Sequence, residues 1–238
     1  MHQSISPAIL YLGTPVVLVS TVNENGSYNL APMSSAFWLG WRCLLGFEGV
    51  SKTPQNLIRT GECVLNLPSV VQVDAVNRLA YLTGSNPVPA GKTRRNYRFE
   101  QDKFGVSGIT PIASETVAAA RALECPIQLE AKLARVNPVM ADEYDYSVHE
   151  RSIECTLEGI VCIEVRITRV HAHPSILMDG KQNRIDPDRW RPLIMSFQRF
   201  YGLGPEVSES RLAGIPEAMY RTPDIDRANT FAFDRCRV

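Results

Sequence analysis

The sequence predicts a mainly β fold with flanking helices, closed as a β-barrel rather than built as a doubly wound parallel sheet. Short β-branched runs bounded by turn residues recur along the chain, as is typical of antiparallel barrels. Helical segments are few, and they do not alternate with strands in the rhythm of βαβ units. With 238 residues, of which 45% are hydrophobic, the chain is long enough to bury a full core.

The first part of the chain predicts a hairpin followed by a third strand. Residues 15–22 are rich in β-branched side chains, which favours a strand. Asn25-Gly26 is typical of a two-residue type I′ turn, because both positions tolerate positive φ. The chain then returns through residues 27–37, and the apolar run 43–47 predicts the next strand. We therefore expect an antiparallel meander.

Three segments have helical character. Residues 51–61 contain Thr53-Pro54, which suits an N-cap followed by proline at the first helical position, and a glycine ends the segment. Residues 73–82 predict a second helix. Residues 114–123 predict a third, since four of them are alanine.

The second part of the chain predicts two good strands and two irregular regions. The strands are residues 126–136 and 157–170, of which the second is long enough to cross a barrel. Residues 83–108 are polar and rich in Gly, Pro, Lys and Arg, so we expect an exposed excursion. We expect a barrel domain over residues 1–205, and a polar extension over residues 206–238 that packs on the barrel or on a partner subunit.

Charge and composition exclude several function classes. Lys+Arg and Asp+Glu are both 25, and this balance argues against nucleic acid as the partner. The N-terminus has no basic n-region, and the apolar run 16–19 is too short to span a bilayer, so we expect a cytoplasmic protein without a membrane partner. The six cysteines form no C-x-x-C pair, and His171-x-His173 has no nearby carboxylate or cysteine to complete a ligand set. We therefore predict reduced thiols and no metal site.

One segment is suited to binding a phosphate group. The helix predicted over residues 51–61 begins there, and a helix N-terminus presents unpaired N–H groups and a partial positive charge. Ser51 and Thr53 add hydroxyl donors, Lys52 adds charge, and Asn56 adds an amide one turn further on. The simpler interpretation is an ordinary helix cap, since Ser-x-Thr-Pro is a common one.

A second segment, residues 28–37, is suited to the polar edge of a planar ring system. It is a strand end interrupted by proline, where backbone amides and the hydroxyls of Ser34 and Ser35 are available for hydrogen bonds. Phe37 and Trp38 supply apolar cover. Together the two segments predict a mononucleotide clamp, although Asn-x-Ala-Pro is also a common turn.

The same residues resemble a known family. Residues 15–69 resemble the N-terminal half of the flavin reductase-like, FMN-binding split β-barrel proteins, which typically carry N-x-A-P-x-S before the first long loop and S-x-x-T-x-x-N, or a close variant, at the phosphate helix. Residues 125–136 (CPIQLEAKLARV) resemble the family's C-P-x-x-x-E strand, and residues 186–204 resemble its final element. The resemblance covers roughly residues 8–204.

The resemblance implies a split β-barrel and a particular set of FMN contacts. The residues that would face the isoalloxazine and ribityl groups are Asn29, Ala31, Pro32, Ser34 and Ser35. Those that would hold the phosphate are Ser51, Lys52, Thr53 and Asn56, with the serine and threonine closer together than in some members. Because the flavin in this family lies near a dimer interface, the resemblance also implies a homodimer.

The function implied is an FMN-dependent oxidoreductase that passes hydride from NAD(P)H to flavin and on to a small-molecule acceptor. The flavin carries this chemistry, so no acid–base residue is required and no catalytic residue is assigned. Two alternatives stay open: a non-enzymatic FMN-binding electron-transfer protein, and a β-barrel binding or assembly protein without flavin. The basic cluster 94–98 is interpreted either as a solvated loop or as a recognition element for an anionic substrate such as a nicotinamide nucleotide.

Overall fold

The computed structural model describes residues 2–140 and 159–235. The strands in these ranges are β1 (Thr14–Pro15), β2 (Val17–Val22), β3 (Tyr28–Met33), β4 (Ala36–Leu39), β5 (Arg42–Glu48), β6 (Glu62–Leu67), β7 (Leu82–Thr83), β8 (Arg98–Phe99), β9 (Pro111–Ile112), β10 (Arg121–Ala122), β11 (Ile127–Val139), β12 (Ile160–Ala172), β13 (Ile194–Ser196) and β14 (Arg199–Tyr201). The α-helices are α1 (Lys52–Thr60), α2 (Val73–Arg78), α3 (Ala90–Arg94), α4 (Lys103–Ser107), α5 (Pro187–Trp190) and α6 (Pro223–Arg235). None of the helices described combines the length and the apolar character needed to span a bilayer.

Seven strands form one antiparallel sheet in the order β3-β2-β6-β11-β12-β5-β4. Its two edge strands, β3 and β4, follow each other in the chain and are joined by Ser34 and Ser35 alone. Such a short link spans at most about 11 Å, so the sheet has to curl until its edges lie close together. The result is a β-barrel that is open between β3 and β4, which confirms the mainly β fold class.

Strand β2 is buried on both faces, which explains its unbroken apolar run. Val17 and Val19 belong to the cluster inside the barrel, together with residues of β5, β6, β11 and β12. Val16 and Leu18 belong to a second cluster, which includes side chains of α2 and α4. The short helices therefore cover one outer face of the barrel.

The predicted hairpin is confirmed, and so is the strand over residues 43–47, as β5, but the two-residue turn and the meander are not. Strands β2 and β3 pair in register, whereas the loop spans residues 23–27 and Asn25 is not among the residues with positive φ. The Asn25 side chain instead accepts a hydrogen bond from the Ser27 N–H at 3.1 Å, which stabilises a wider loop. Strand β5 pairs with β12 and β4, far from β3 in the sheet order, so the meander is wrong.

The three helix predictions have different outcomes. The first is confirmed as α1, and the second helix ends at Arg78, four residues earlier than predicted. The prediction of a helix over residues 114–123 is wrong. There the N–H groups of Glu115 and Thr116 donate to the Glu130 carboxylate, and the Ala122 N–H donates to Asn66. Acceptors from distant strands thus replace the bonds that a helix would have made.

The prediction of an exposed excursion is only partly right, and the two long strands are present. Residues 83–108 contain α3, β8 and α4, and they bury Thr83, Lys92 and Lys103, so this region is not simply exposed. The strand prediction over residues 126–136 is confirmed as β11. The prediction over residues 157–170 is confirmed as β12 from Ile160 onward, and its first two residues lie outside the described ranges.

The end of the C-terminal extension contacts the barrel through α6, which packs against β12. Arg42 on β5 donates from Nε to Asp224 at 2.8 Å and from Nη1 to Glu164 at 3.0 Å. The hydrogen bond from Arg42 holds the pKa of the Asp224 carboxyl below its ordinary value. One ion-paired cluster therefore joins α6 to the barrel strands.

We expect Asp224→Asn to loosen the extension without unfolding the barrel. The Arg42 guanidinium keeps its ion pair with Glu164 in this variant. The global free energy of unfolding should therefore fall by about 1 kcal/mol or less. Protease cleavage within residues 206–222, followed by mass spectrometry, should become several-fold faster. Asp226→Asn, which removes a partner of the exposed Arg221 instead, should leave this cleavage unchanged.

Candidate functional site

A cleft beside the start of α1 brings the two predicted segments together. Ala31 and Pro32 of β3 line one part of it, and Ser51, Lys52 and Thr53 line another. Neighbouring positions on β3 and β5 complete this side of the wall, namely Met33, Gly46, Phe47 and Glu48. The geometry thus unites five of the nine residues predicted to bind a cofactor.

The N-terminus of α1 is open to a ligand. Ser51 is the N-cap in extended conformation, yet its side chain makes no capping hydrogen bond, and the first turn carries no acidic residue. The helix closes normally at its other end, where Gly61 adopts φ of 72° and its N–H donates to the Leu57 carbonyl. The hydroxyl of Ser51 and the first N–H groups of the helix therefore remain available at the cleft.

Asn29 lies directly behind the cleft wall and connects three elements. Its Nδ2 donates to Thr21 at 3.2 Å and to Thr53 at 3.1 Å, and its Oδ1 accepts from the Lys103 ammonium at 2.9 Å. The side chain is fully buried. Asn29 therefore positions Thr53 and Lys103 rather than forming the cleft surface itself.

Asn56 and the two serines do not line the cleft. The Asn56 Nδ2 donates to Thr21 at 3.1 Å and to Asn23 at 2.8 Å, which leaves no amide hydrogen for a phosphate. Ser34 and Ser35 form the link at the open seam of the barrel, and the Ser35 carbonyl accepts from Gly46 at 2.8 Å. The structure therefore does not support a direct phosphate contact by Asn56, and it places the serine pair beside the cleft rather than in its wall.

The opposite wall comes mostly from residues that the sequence did not single out. Leu79 to Gly84 and parts of the following excursion line it, including Lys92, Arg95, Tyr97 and Lys103. A Cβ on Gly84 would lie 2.7 Å from the Asn29 Oδ1, so glycine is needed where this wall meets β3. The cluster 94–98 was the available signal: its Arg95 and Tyr97 line the cleft, whereas Arg94 and Arg98 do not.

The cleft is positively charged. Lys52 pairs with Glu24 at 2.7 Å and Arg95 pairs with Glu48 at 2.7 Å. Lys92 and Lys103 contribute two further ammonium groups, and burial lowers the pKa of both, that of Lys103 to about 7. Two carboxylates thus face four cationic side chains.

The two histidines do not reach this cleft. The His171 Nε2 lies 2.8 Å from the Glu130 carboxylate, and the His173 Nδ1 lies 2.7 Å from the Ser175 hydroxyl. Neither imidazole therefore lines the cleft. Within the described ranges, His, Cys, Asp and Glu side chains form no group of three suited to a metal ion.

Fold and cleft together define a half-open antiparallel barrel with a cationic, mononucleotide-type cleft at a helix N-terminus. The chain matches the model of the flavin reductase like domain over residues 10–203. It therefore belongs to the flavin reductase-like family, as the sequence motifs implied. Membership in this family implies a flavin cofactor and an oxidoreductase role.

Individual relatives agree with this assignment. The chain is 35% identical over 208 residues to the uncharacterised protein YdfE of Bacillus subtilis (strain 168), covering 87% of this chain and 92% of the relative. Flavoredoxin of Desulfovibrio vulgaris (Miyazaki F) has the same fold, with a TM-score of 0.67, 20% identity and coverage of 90% and 100% of the two chains. Nitrilotriacetate monooxygenase component B from Bacillus cereus gives a TM-score of 0.64, 20% identity and coverage of 88% and 99%. The predicted split β-barrel is thereby confirmed.

Proposed function

We propose that this protein binds FMN in the cleft and acts as an oxidoreductase that passes hydride from NADH or NADPH to the flavin and on to a small-molecule acceptor. One observation carries the proposal. The N-terminus of α1, with an unused Ser51 hydroxyl, opens into the same cleft as the buried ammonium groups of Lys92 and Lys103. A helix N-terminus beside desolvated cations fits a phosphate dianion.

The residues have distinct parts in this proposal. Ser51, Lys52 and Thr53 bind the phosphate, while Ala31 and Pro32 lie along the ring system. The bound flavin would supply the hydride chemistry, and the protein would orient it and limit its contact with water. We propose no acid–base residue. A cytoplasmic homodimer, with residues 206–238 as an extension of the barrel domain, completes the proposal.

An absorption titration tests the function. Purified protein, refolded with excess FMN and then desalted, should retain a yellow chromophore in a one-to-one ratio, and anaerobic NADH or NADPH should bleach it. Protein that remains colourless after this treatment would refute the proposal. A bound flavin that neither nucleotide bleaches would favour the non-enzymatic electron carrier instead. Light scattering of the same samples measures the oligomeric state.

We expect Ser51→Ala to weaken FMN binding about tenfold, because it removes one hydrogen bond to a charged group. The free energy of unfolding should change little, since the hydroxyl does not cap α1. Fluorescence titrations with FMN and with riboflavin measure the effect, and riboflavin, which lacks the phosphate, should bind both proteins equally. Ser69→Ala is the matched control: Ser69 does cap its own helical turn, so stability should fall while FMN affinity stays the same.

A further inference from the structure

Two lysines are buried next to each other in the wall of the cleft. Lys103 is 3% exposed and donates to the Asn29 Oδ1 at 2.9 Å, and Lys92 is 9% exposed and lies 3.4 Å from the Thr83 hydroxyl. Both contacts are to neutral groups. An ammonium group removed from water normally has an anionic partner, because an unpaired buried charge is strongly unfavourable.

The protein itself supplies no such partner in the part of the chain that the structure describes. No carboxylate oxygen among the described side chains of residues 2–140 and 159–229 lies within 4.0 Å of either ammonium. Two acidic groups act on the pair from beyond this distance: Glu48, which is itself paired with Arg95, acts on Lys92, and Glu100 acts on Lys103. On the α1 side, Lys52 is paired with Glu24. These longer-range carboxylates compensate the two ammonium groups only in part, and burial still lowers the pKa of both lysines.

An anion in the cleft would remove this imbalance. A phosphate monoester carries a charge of about −1.5 to −2 at neutral pH, which two ammonium groups and a helix N-terminus neutralise. Asn29 connects the sites physically, since it contacts Lys103 with its oxygen and Thr53 with its nitrogen. The lysine pair and the start of α1 thus face one ligand position from two sides.

We propose that Lys92 and Lys103 form a proton-linked phosphate site: the pair binds the phosphate of the flavin and takes up a proton when it does so. This inference rests on the proposed function and adds a pH dependence to it. Burial and the neighbouring Lys92 lower the pKa of Lys103 to about 7 in the free protein, so most of its amine is neutral at pH 8. Binding of the phosphate dianion favours the protonated, charged form of the Lys103 amine. FMN affinity should therefore fall about 50-fold between pH 7 and pH 9, whereas riboflavin affinity should not.

Calorimetry tests the inference on the intact protein. FMN is titrated at pH 8 in two buffers of different ionisation enthalpy, and the difference in apparent binding enthalpy measures the protons taken up. We expect close to one proton per FMN and none per riboflavin. FMN binding without proton uptake, with an affinity that is constant from pH 7 to pH 9, would overturn the inference and leave the proposed function intact. Failure to bind either flavin would reject the proposed function, and the inference with it.

Variants identify the lysine responsible. Lys103→Met should abolish the proton uptake and reduce FMN affinity at pH 7 by at least tenfold, while riboflavin affinity is retained. Lys103→Arg keeps a charge that does not titrate, so it should bind FMN without proton uptake. Lys181→Met, at an exposed lysine outside the cleft, is the matched control and should behave as the wild type. Normal proton uptake in a folded Lys103→Met would contradict the assignment, and the wild-type calorimetry decides the question if this variant does not fold.

Discussion

Replacing Glu130 with alanine is expected to lower the free energy of unfolding by about 3–5 kcal/mol, since it removes a fully buried carboxylate and leaves the buried Thr116 hydroxyl and the N–H groups that donate to it without an acceptor. Glu130 lies on β11 and is 0% exposed. It accepts hydrogen bonds from the Glu115 N–H at 2.8 Å, the Thr116 hydroxyl at 2.6 Å and His171 at 2.8 Å. Urea denaturation at pH 7 measures the loss.

The same carboxylate predicts how stability depends on pH. Burial alone would raise its pKa, but hydrogen bonds from His171, Thr116 and two backbone N–H groups outweigh burial and lower the pKa to about 2. A carboxyl whose folded pKa lies below its unfolded value stabilises the protein above the unfolded pKa and stops doing so as pH falls through the folded one. The contribution of Glu130, about 3 kcal/mol, should therefore disappear between about pH 4.5 and pH 2.

The control for both effects is Glu124→Ala. Glu124 also accepts a backbone N–H, that of Thr110 at 2.9 Å, but in an exposed position, so its loss should cost less than about 1 kcal/mol. Melting curves from pH 2.5 to pH 5 should show a flatter pH dependence for Glu130→Ala than for either other protein. Equal stability of Glu130→Ala and Glu124→Ala at pH 7 would contradict the predicted role.

Glu130 also shows where prediction from sequence fails. Residues 114–123 have good helix propensity, but propensity contributes only tenths of a kcal/mol per residue. Buried acceptors on strands outweigh it: Glu130 binds the N–H groups of Glu115 and Thr116, and Asn66 binds that of Ala122. These contacts join positions that are far apart in the chain, so no local sequence pattern predicts them.

Local signals, by contrast, sufficed for α1 and for the pairing of β2 with β3. Pro54 in the first turn and Gly61 at the C-cap mark the helix, although its N-cap is Ser51 and not the predicted Thr53, and the short loop over residues 23–27 brings β2 and β3 together. The candidate site was half predictable for the same reason. The wall of the cleft that β3 and α1 form comes from these locally predictable elements. Lys92 and Lys103, in contrast, belong to a polar segment whose composition is equally typical of a solvated loop. Only the fold shows that these two lysines point inward.

The largest effect on ligand binding is expected from Asn29→Asp, which should change stability and FMN affinity in different directions. The new carboxylate would stand about where the Asn29 Oδ1 now lies, 2.9 Å from the Lys103 ammonium, and would give it an anionic partner, which none of the described side chains provides at this distance. The free protein should therefore unfold at the same or a higher urea concentration at pH 8. The hydroxyls of Thr21 and Thr53, which now accept from the Asn29 amide, can rotate to donate to the carboxylate.

FMN binding, in contrast, should weaken at least 100-fold. The new carboxylate would repel the phosphate, since two like unit charges about 6 Å apart repel each other by about 3 kcal/mol at an effective dielectric constant of about 20. The carboxylate also holds Lys103 in its charged form, so proton uptake on binding should vanish. Riboflavin affinity should be nearly unchanged, and Asn25→Asp, which adds the same charge on an exposed loop, should leave FMN affinity unaltered. If Asn29→Asp binds FMN as tightly as the wild type does, the phosphate cannot lie where Asn29, Thr53 and Lys103 converge.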